Sequence, residues 1–338
     1  MIEKVELRNF TVFGNVDLEF SPGVNLIIGE NGTGKTHLLK LLYSVLEAKR
    51  SSPESPKIAE KLQRVFLPRD GQIGRLVKRI NKSSNCAITI TRDGKKLKIE
   101  FSSHAKDTLN DIKDSWKNGS NFSVYIPVKE MLANAPGFRS LYSLQRIHFE
   151  EVYNDIIDRA FVPLLRGPIS AERKELLDMI QTIIKGKVVQ KGEQFFLKNQ
   201  QGELEFTLLA EGMRKFALLW LLIQNGTLLE GATLFWDEPE ANINPSMIQI
   251  LVKILLHLQA QGVQVFIATH SYLVLKEFDL QKDKQNDVRF FSFTQDAKTR
   301  DIVSESGEGY LSVFPNRIAD AYDEIYNKEM ARALGEKS

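Results

Sequence analysis

The chain has 338 residues, of which 43% are hydrophobic and 26% charged, and its formal net charge is +2. This length predicts one large domain or two interleaved ones. The near-neutral charge does not mark a nucleic-acid binder, although it leaves room for local basic patches.

Cysteine content and hydrophobicity suggest where the protein resides. Cys86 is the only cysteine, so no disulfide can form within one chain and a reducing cytoplasm is the best fit. The start of the sequence has no signal-peptide pattern. The longest apolar run, Phe216–Ile223, is too short to span a bilayer. We therefore expect a cytoplasmic protein that does not enter the membrane.

The first elements predict a strand, a glycine loop and a helix in succession. Short strands are expected near Glu3–Leu7 and Val16–Phe20, followed by the uninterrupted apolar strand Val24–Ile28. From Lys35 to Leu46 the apolar residues follow helical periodicity. This order is the one that a phosphate-binding loop requires.

The next segment mixes helices with a hairpin. After a polar loop we expect helices at Ile58–Phe66 and Ile73–Ile80. Ala87–Thr91 and Lys96–Phe101 alternate around an Asp-Gly turn, which predicts a β-hairpin. Ser123–Pro127 is typical of a core strand that ends at its proline.

The middle of the chain, from Lys129 to about Lys185, has mostly helical patterns. The clearest are Leu144–Leu165 and Ala171–Ile184. Strand character then returns in three short segments, Val188–Gln190, Gln194–Lys198 and Glu203–Leu208.

The last third alternates helices and strands. Helices are expected at Glu211–Gln224 and Pro245–Gln261, and buried strands at Ala232–Trp236 and Val263–Ala268. An edge hairpin and a final helix should follow, at Val288–Phe293, Asp301–Ser304 and Asn316–Leu334. The alternation predicts an α/β fold with a mostly parallel sheet, an antiparallel edge and a helix-rich insertion.

One octapeptide matches the pattern G-x-x-x-x-G-K-[ST] in full. Its residues are Gly29, Glu30, Asn31, Gly32, Thr33, Gly34, Lys35 and Thr36. Glycines let backbone amides surround phosphate oxygens, and the following helix adds its dipole. Lys35 is expected to neutralise the β- and γ-phosphates of ATP, and the Thr36 hydroxyl to bind Mg²⁺. A glycine turn that binds nothing is the alternative.

Two further strand ends carry polar residues toward the same sheet edge. Asp237 follows an apolar strand and is expected to hold Mg²⁺ opposite Thr36, while Glu238 is expected to act as general base. His270 follows the next strand, where it is positioned to contact the γ-phosphate. Solvated strand ends are the alternative for all three.

A fourth motif opens the helix before the acidic strand. Leu209–Lys215 presents an amide-rich helix start, but Arg214 and Lys215 fit a solvated helix face equally well. Taken alone, this segment favours the solvated face.

The order of these motifs resembles that of ABC-type ATPases, in the RecF/SMC-like branch. It is similar in particular to small bacterial AAA/ABC-like ATPases of defence and toxin–antitoxin operons. The stretch from Asp237 to Pro245 resembles their D-E-P-E-a-x-L-h-P motif, and Asn9-Phe10 with Phe13 fits their N-terminal strands. The likeness covers about residues 1–47 and 205–275.

The resemblance implies a head-to-tail ATP sandwich of two copies, or a larger assembly built on it. Gly212 of one copy is then expected to donate its N–H to the γ-phosphate held by the other. This chain has Ala210 where the family has serine, which implies weaker or slower hydrolysis. Asn242–Asn244 occupies the place of the loop that crosses between subunits. A magnesium-reaching glutamine is also implied, and Glu130 is its stand-in here.

The resemblance also divides the chain. Residues 1–128 and 186–305 are expected to form a discontinuous nucleotide-binding core, 129–185 a helical insertion or lid, and 306–338 a C-terminal helical segment.

Two functions remain open at this level. The first is an ATP-gated regulator that controls a separate effector protein, a nuclease or toxin, in bacterial defence. The second is a RecF-like repair ATPase that binds DNA. Only 68 residues follow His270 and their acids, Asp320, Asp323 and Glu324, fit a solvated helix face, which disfavours an intrinsic nuclease. A transporter subunit is disfavoured by the long insertion. Basic residues that would serve DNA binding are Arg69, Arg75, Lys78, Arg79, Lys82, Arg92, Lys95, Lys96 and Lys98.

Overall fold

A computed structural model describes residues 1–51, 55–79, 83–116, 122–284 and 287–334. The strands are β1 Ile2–Phe10, β2 Phe13–Glu19, β3 Val24–Gly29, β4 Asn85–Arg92, β5 Lys95–Ser102, β6 Asp111–Asp114, β7 Ser123–Ile126, β8 Lys187–Lys191, β9 Gln194–Asn199, β10 Gly202–Glu205, β11 Thr233–Asp237, β12 Gln264–Thr269, β13 Val288–Gln295 and β14 Ile302–Gly307. The α-helices are α1 Lys35–Ala48, α2 Ile58–Phe66, α3 Phe138–Ser143, α4 Glu151–Ala160, α5 Ala171–Ile184, α6 Glu211–Gln224, α7 Ile248–Ala260, α8 Tyr272–Gln281 and α9 Arg317–Ala333.

A six-stranded sheet forms the centre, with the strand order β14-β13-β3-β12-β11-β7. The strands from β13 to β7 are parallel, and β14 alone pairs antiparallel, on β13. The predicted α/β fold with a mostly parallel sheet and an antiparallel edge is confirmed. Because the carboxyl ends of β3, β12 and β11 are neighbours, the loops that follow them meet at one sheet edge.

Two hydrophobic cores lie on opposite faces of this sheet. The strand side chains alternate between the faces: Leu234 and Trp236 belong to one core, and Phe235 to the other. The core around Phe235 contains α1 and the five-stranded antiparallel sheet β2-β1-β4-β5-β6. The core around Trp236 contains α6, α7, α8, the helices between residues 138 and 184, and the strands β8 and β9 of the small sheet β10-β9-β8. The glycine loop and α1 are thereby held between two layers.

Three predicted elements differ from the structure. The helix predicted at Ile73–Ile80 is a 3₁₀ turn over Ile73–Leu76, because Val77 is extended and the amide of Lys78 donates to the carbonyl of Asn9 instead of continuing a helix. Residue 80 lies outside the described residues.

The helix predicted at Leu144–Leu165 is confined to α4, Glu151–Ala160. Gln145 has a φ of 54°, which interrupts helical geometry before α4, and Pro163 disfavours helix at the residue before it. The third difference is at Glu203–Leu208, where the strand ends at Glu205 and a 3₁₀ turn follows. The other predicted helices and strands are present with ends shifted by a few residues.

Within the described ranges, no helix is both long enough and apolar enough to cross a bilayer. The division of the chain into a core, an insertion and a C-terminal segment stays a prediction.

Candidate functional site

The glycine loop joins β3 to α1 and is shaped by its glycines. Gly32 and Gly34 have φ values of 81° and 92°, in the region that side chains disfavour. A Cβ on Gly34 would lie 2.6 Å from side-chain atoms of Val12 and Phe13. The crown of the loop, Glu30–Gly32, is exposed, and its backbone is free to approach a ligand. The loop is therefore built around its glycines, as a phosphate cradle requires.

Lys35 begins α1 and folds back over this loop. Its Nζ donates hydrogen bonds to the carbonyl oxygens of Gly29, at 2.7 Å, and Glu30, at 2.9 Å. Burial lowers the pKa of Lys35, while the negative charge of Asp237 opposes that shift. A largely buried ammonium whose acceptors are backbone carbonyls is poised for a stronger anionic partner.

Thr36 and Asp237 meet across the sheet edge. The Thr36 Oγ1 donates to Asp237 Oδ1 at 3.1 Å, and the Tyr125 hydroxyl donates to Asp237 Oδ2 at 3.2 Å. Asp237 is 4% exposed. Burial raises the pKa of Asp237, against the lowering effect of the two hydroxyls. The carboxylate thus sits in a buried site with neutral hydrogen-bond partners.

This donor set fits Mg²⁺. A hydroxyl and a carboxylate oxygen are the hard ligands that the ion prefers, and a buried carboxylate with raised pKa would be relieved by a cation. Thr36 and Asp237 are therefore the residues that would hold the metal.

Glu238 and His270 form the next pair at the same edge. His270 Nδ1 lies 3.1 Å from Glu238 Oε1, and both side chains keep access to solvent. Glu238 has a φ of 48°, a left-handed conformation that is uncommon for a non-glycine residue and recurs at functional sites. This arrangement leaves a carboxylate able to reach a water molecule and a histidine able to orient it.

Glu240 is a site residue that the sequence did not single out. Its Oε1 accepts a hydrogen bond from Thr269 Oγ1 at 2.6 Å, and Thr269 Oγ1 in turn accepts from the amide of Ser271. Burial raises the pKa of Glu240. These bonds tie the turn after β11 to the residues on either side of His270.

Lys215 and Arg214 do not form a solvated face, so that interpretation is wrong. Lys215 is 1% exposed and donates to the Ala241 carbonyl at 2.7 Å, which fixes the turn after Glu238. Burial lowers the pKa of Lys215. Arg214 donates to the Leu209 carbonyl at 2.7 Å. Both side chains form their hydrogen bonds within the protein.

The contacts of Glu130 do not match its predicted role as a magnesium ligand. Its Oε2 is 2.6 Å from Arg214 Nε, and its Oε1 accepts a hydrogen bond from the Leu132 amide. One carboxylate oxygen has an ionic partner and the other a backbone partner, so the contacts of Glu130 do not favour metal binding.

Gly212 lies in the first turn of α6, beside the turn that follows the acidic strand. A Cβ there would be 2.9 Å from the Asn242 carbonyl oxygen, and Asn242 itself has a φ of 60°. Ala210 is the N-cap residue and supplies no side-chain hydrogen bond to the helix start. The α6 start is thereby packed tightly against residues 242–243, with no side chain of its own capping its amides.

Three residues of the site were not predicted as site residues, and the sequence contained a signal for one of them. Tyr125 stood in a predicted core strand, where a polar hydroxyl at a sheet edge has to find a partner. Lys215 and Glu240 stood in quoted motifs, but nothing in the sequence indicated their contacts, because their partners are backbone or threonine groups 26 and 29 residues away.

The fold and this site together define the class of ABC-type P-loop ATPases of the RecF/SMC kind. Within that class, the chain belongs to the family described as "AAA domain, putative AbiEii toxin, Type IV TA system", whose model matches residues 24–276. The predicted resemblance is confirmed.

Curated relatives match over shorter stretches. The DNA replication and repair protein RecF of Listeria welshimeri is 29% identical over 141 residues, which cover 41% of this chain and 35% of the relative. RecF of Streptococcus uberis is 52% identical over 42 residues, 12% of each chain. The chain therefore spans about a third or less of the length of these relatives.

Solved structures match over most of the chain. An SMC head bound to the C-terminal winged-helix domain of ScpA has a TM-score of 0.56 at 15% identity, covering 91% of this chain and 98% of that one. An SMC head from Pyrococcus furiosus has a TM-score of 0.50 at 11% identity, with 90% and 96% covered. At such identities the likeness concerns the fold alone.

Proposed function

We propose that this chain binds ATP with Mg²⁺ and hydrolyses it, and that ATP gates the association of two copies. The observation that carries the proposal is the 3.1 Å hydrogen bond from Thr36 to Asp237. It joins the glycine loop to the acidic strand, which are 201 residues apart in sequence.

Each residue at the edge has a separate role in the proposed reaction. Lys35 exchanges its carbonyl acceptors for the β- and γ-phosphate oxygens. When bound, Mg²⁺ neutralises charge that develops on the phosphates. Glu238 takes a proton from the attacking water, and His270 orients Glu238 and contacts the γ-phosphate.

The far side of the nucleotide is proposed to come from Gly212 of a second copy in a head-to-tail sandwich. Support comes from the start of α6, where amides without a side-chain cap adjoin residues 242–243. The absence of a hydroxyl at Ala210 removes one hydrogen bond to phosphate, so hydrolysis is proposed to be slow.

Control of a separate effector protein, a nuclease or toxin, is the proposed biological role. The printed description of the family, which names a toxin and a toxin–antitoxin system, supports this role.

The test is an ATPase assay together with light-scattering mass measurements, using Glu238→Gln and, as a control, Glu19→Gln on the exposed side of β2. We expect Glu238→Gln to lower hydrolysis by about 100-fold, the scale of general-base catalysis, and to form dimers with ATP. The control should behave as wild type. An unchanged mass of Glu238→Gln with ATP would count against the sandwich.

DNA binding in a RecF-like repair role is the second candidate, favoured by the matches to RecF. The basic set on which it depends is partly compensated: Lys78 pairs with Asp301, Arg92 with Asp93 and Lys98 with Glu100. Exposed members are Arg69, Arg75, Arg79, Lys95 and Lys96, and Lys82 lies outside the described residues. Duplex-DNA binding at two salt concentrations tests this candidate, because phosphate contacts weaken steeply with salt. No binding at low salt would exclude it.

A further inference from the structure

Helix α9 extends from the body with little support. No residue of the helix is buried, and every residue from Asp320 to Met330 is exposed. Its anchorage is in the first turns, where Ile318 and Ala319 pack on the core and the Tyr322 ring stacks on Tyr272, with ring centroids 4.5 Å apart. Most of α9 therefore presents its whole circumference to solvent.

One face of this exposed helix is apolar. Tyr322, Tyr326 and Met330 recur every four residues, and Ile325 and Ala333 lie beside them. Tyr326 is 61% exposed, Ile325 54% and Met330 44%. An apolar stripe of this length on a helix is stable in water when another surface covers it.

The charges of α9 are divided between its two halves. Residues 317–324 contain one base and three acids, a net charge of −2, and residues 328–332 contain two bases and one acid, a net charge of +1. A second α9 in parallel would oppose like charges. An antiparallel α9 would set the acidic half of each copy beside the basic half of the other. The helix is thus complementary to itself in one orientation.

We propose that α9 is a self-association surface, on which two copies of this chain pair antiparallel about Tyr326 without nucleotide. The residues of this interface differ from those proposed to form the ATP sandwich. Each chain would then have two different two-fold contacts, so ATP would join α9-linked pairs into larger assemblies.

The first experiment measures the mass of the nucleotide-free full chain by sedimentation over a concentration series. Wild type is expected to show a monomer–dimer equilibrium, and Tyr326→Glu to raise its dissociation constant by at least about tenfold, as loss of a central aromatic contact does. The matched control is Leu144→Glu, at an apolar position that is 63% exposed outside α9, and it should leave the equilibrium unchanged. Because Tyr326 is exposed, folding is expected to survive its substitution, and circular dichroism verifies this.

The second experiment tests orientation by oxidative cross-linking, which is simplified because the native Cys86 is buried. Tyr326→Cys should form a disulfide-linked dimer, since the position faces its own copy. Ala333→Cys should not, because seven residues from the centre place the two copies about 21 Å apart. A cross-link at Ala333, with or without one at Tyr326, would overturn the antiparallel pairing. A wild-type monomer at every concentration, or a dimer indifferent to Tyr326→Glu, would overturn the surface itself.

Discussion

Two groups of charged side chains lie along α1 and differ in how their charges are compensated. At the N-terminal end, Lys35 has backbone carbonyls as acceptors, and Asp237 has hydroxyls as donors. Further along, charged groups of α1, α2 and α4 pair with one another. This ion-pair cluster consists of Lys40 with Glu150, Glu47 with Arg159, and Lys61 with Glu151 and Asp155.

This difference in charge compensation distinguishes the proposed binding site from the ion-pair cluster, whose role is structural. Buried charges with neutral partners keep a free energy of desolvation that a ligand of opposite charge can recover. Buried charges with ionic partners have already recovered this desolvation free energy within the protein. Removing one partner leaves the other charge buried and unpaired, which is destabilising. Substitutions in the ion-pair cluster should therefore damage stability, and substitutions at the site should damage ligand binding.

The largest expected effect is at Lys61, which is 3% exposed and contacts two carboxylates at 2.9 and 2.7 Å. Burial opposes the charge, but Asp155 and Glu151 raise the pKa of Lys61. Lys61→Met should lower the free energy of unfolding by about 3–5 kcal/mol, because Asp155 and Glu151 lose their buried cation and only Glu151 keeps another, Arg64 at 3.3 Å. Urea unfolding measures it, with the exposed Lys253→Met as control. If Lys61→Met lost no more unfolding free energy than Lys253→Met, the structural role of the ion-pair cluster would be contradicted.

The next effect is on ligand affinity. Lys35→Ala should weaken ATP binding by about 10- to 100-fold, the scale of one charge-assisted contact, while the urea midpoint stays close to wild type. Titration with a fluorescent ATP analogue measures affinity, again with Lys253→Ala as control. If Lys35→Ala lowered the stability of the protein but kept its affinity for ATP, Lys35 would have a structural role like that of the ion-pair cluster.

Asp237→Asn should stabilise the nucleotide-free protein by about 1 kcal/mol at pH 7, since a buried carboxylate whose direct hydrogen-bond partners are neutral hydroxyls is replaced by a neutral amide. The sign follows from the raised pKa of Asp237: its protonated form is favoured by folding, so wild type gains on the variant as the pH falls through that pKa. Thermal unfolding of both proteins between pH 7 and pH 4 checks whether the difference shrinks.

An effect of similar size to that of Asp237→Asn is expected at Tyr125, whose hydroxyl donates to Asp237 Oδ2. Tyr125→Phe should lower stability by about 1 kcal/mol. In an Asp237→Asn background the cost should change, since the hydrogen bond acts on that side chain. A double-mutant cycle measures the coupling, and strictly additive effects would argue against a direct interaction.

Local sequence patterns predicted much of the fold and the central residues of the candidate site. The glycine loop, Asp237 and Glu238 each follow a strand whose apolar run is visible in a few residues, and parallel strands bring their ends to one edge. α1, α6 and β11 were predictable for the same reason.

The remainder depends on contacts between distant segments. Lys61 joins Asp155 across 94 residues, and Tyr125 joins Asp237 across 112. Such pairings leave no periodic trace in the chain. The contacts of Glu130 were hidden for the same reason: its place shortly after Pro127 suggested a metal ligand, but the fold brings Arg214 to it.

The stack of Tyr322 on Tyr272 has a thermodynamic consequence. Tyr272 follows His270 by two residues, so the base of α9 touches the segment that contacts the γ-phosphate in the proposed reaction. Linkage makes such coupling reciprocal: any factor by which ATP changes the affinity of α9 for its copy must equal the factor by which pairing changes the affinity for ATP. Protein concentration would then act as an effector of the ATPase.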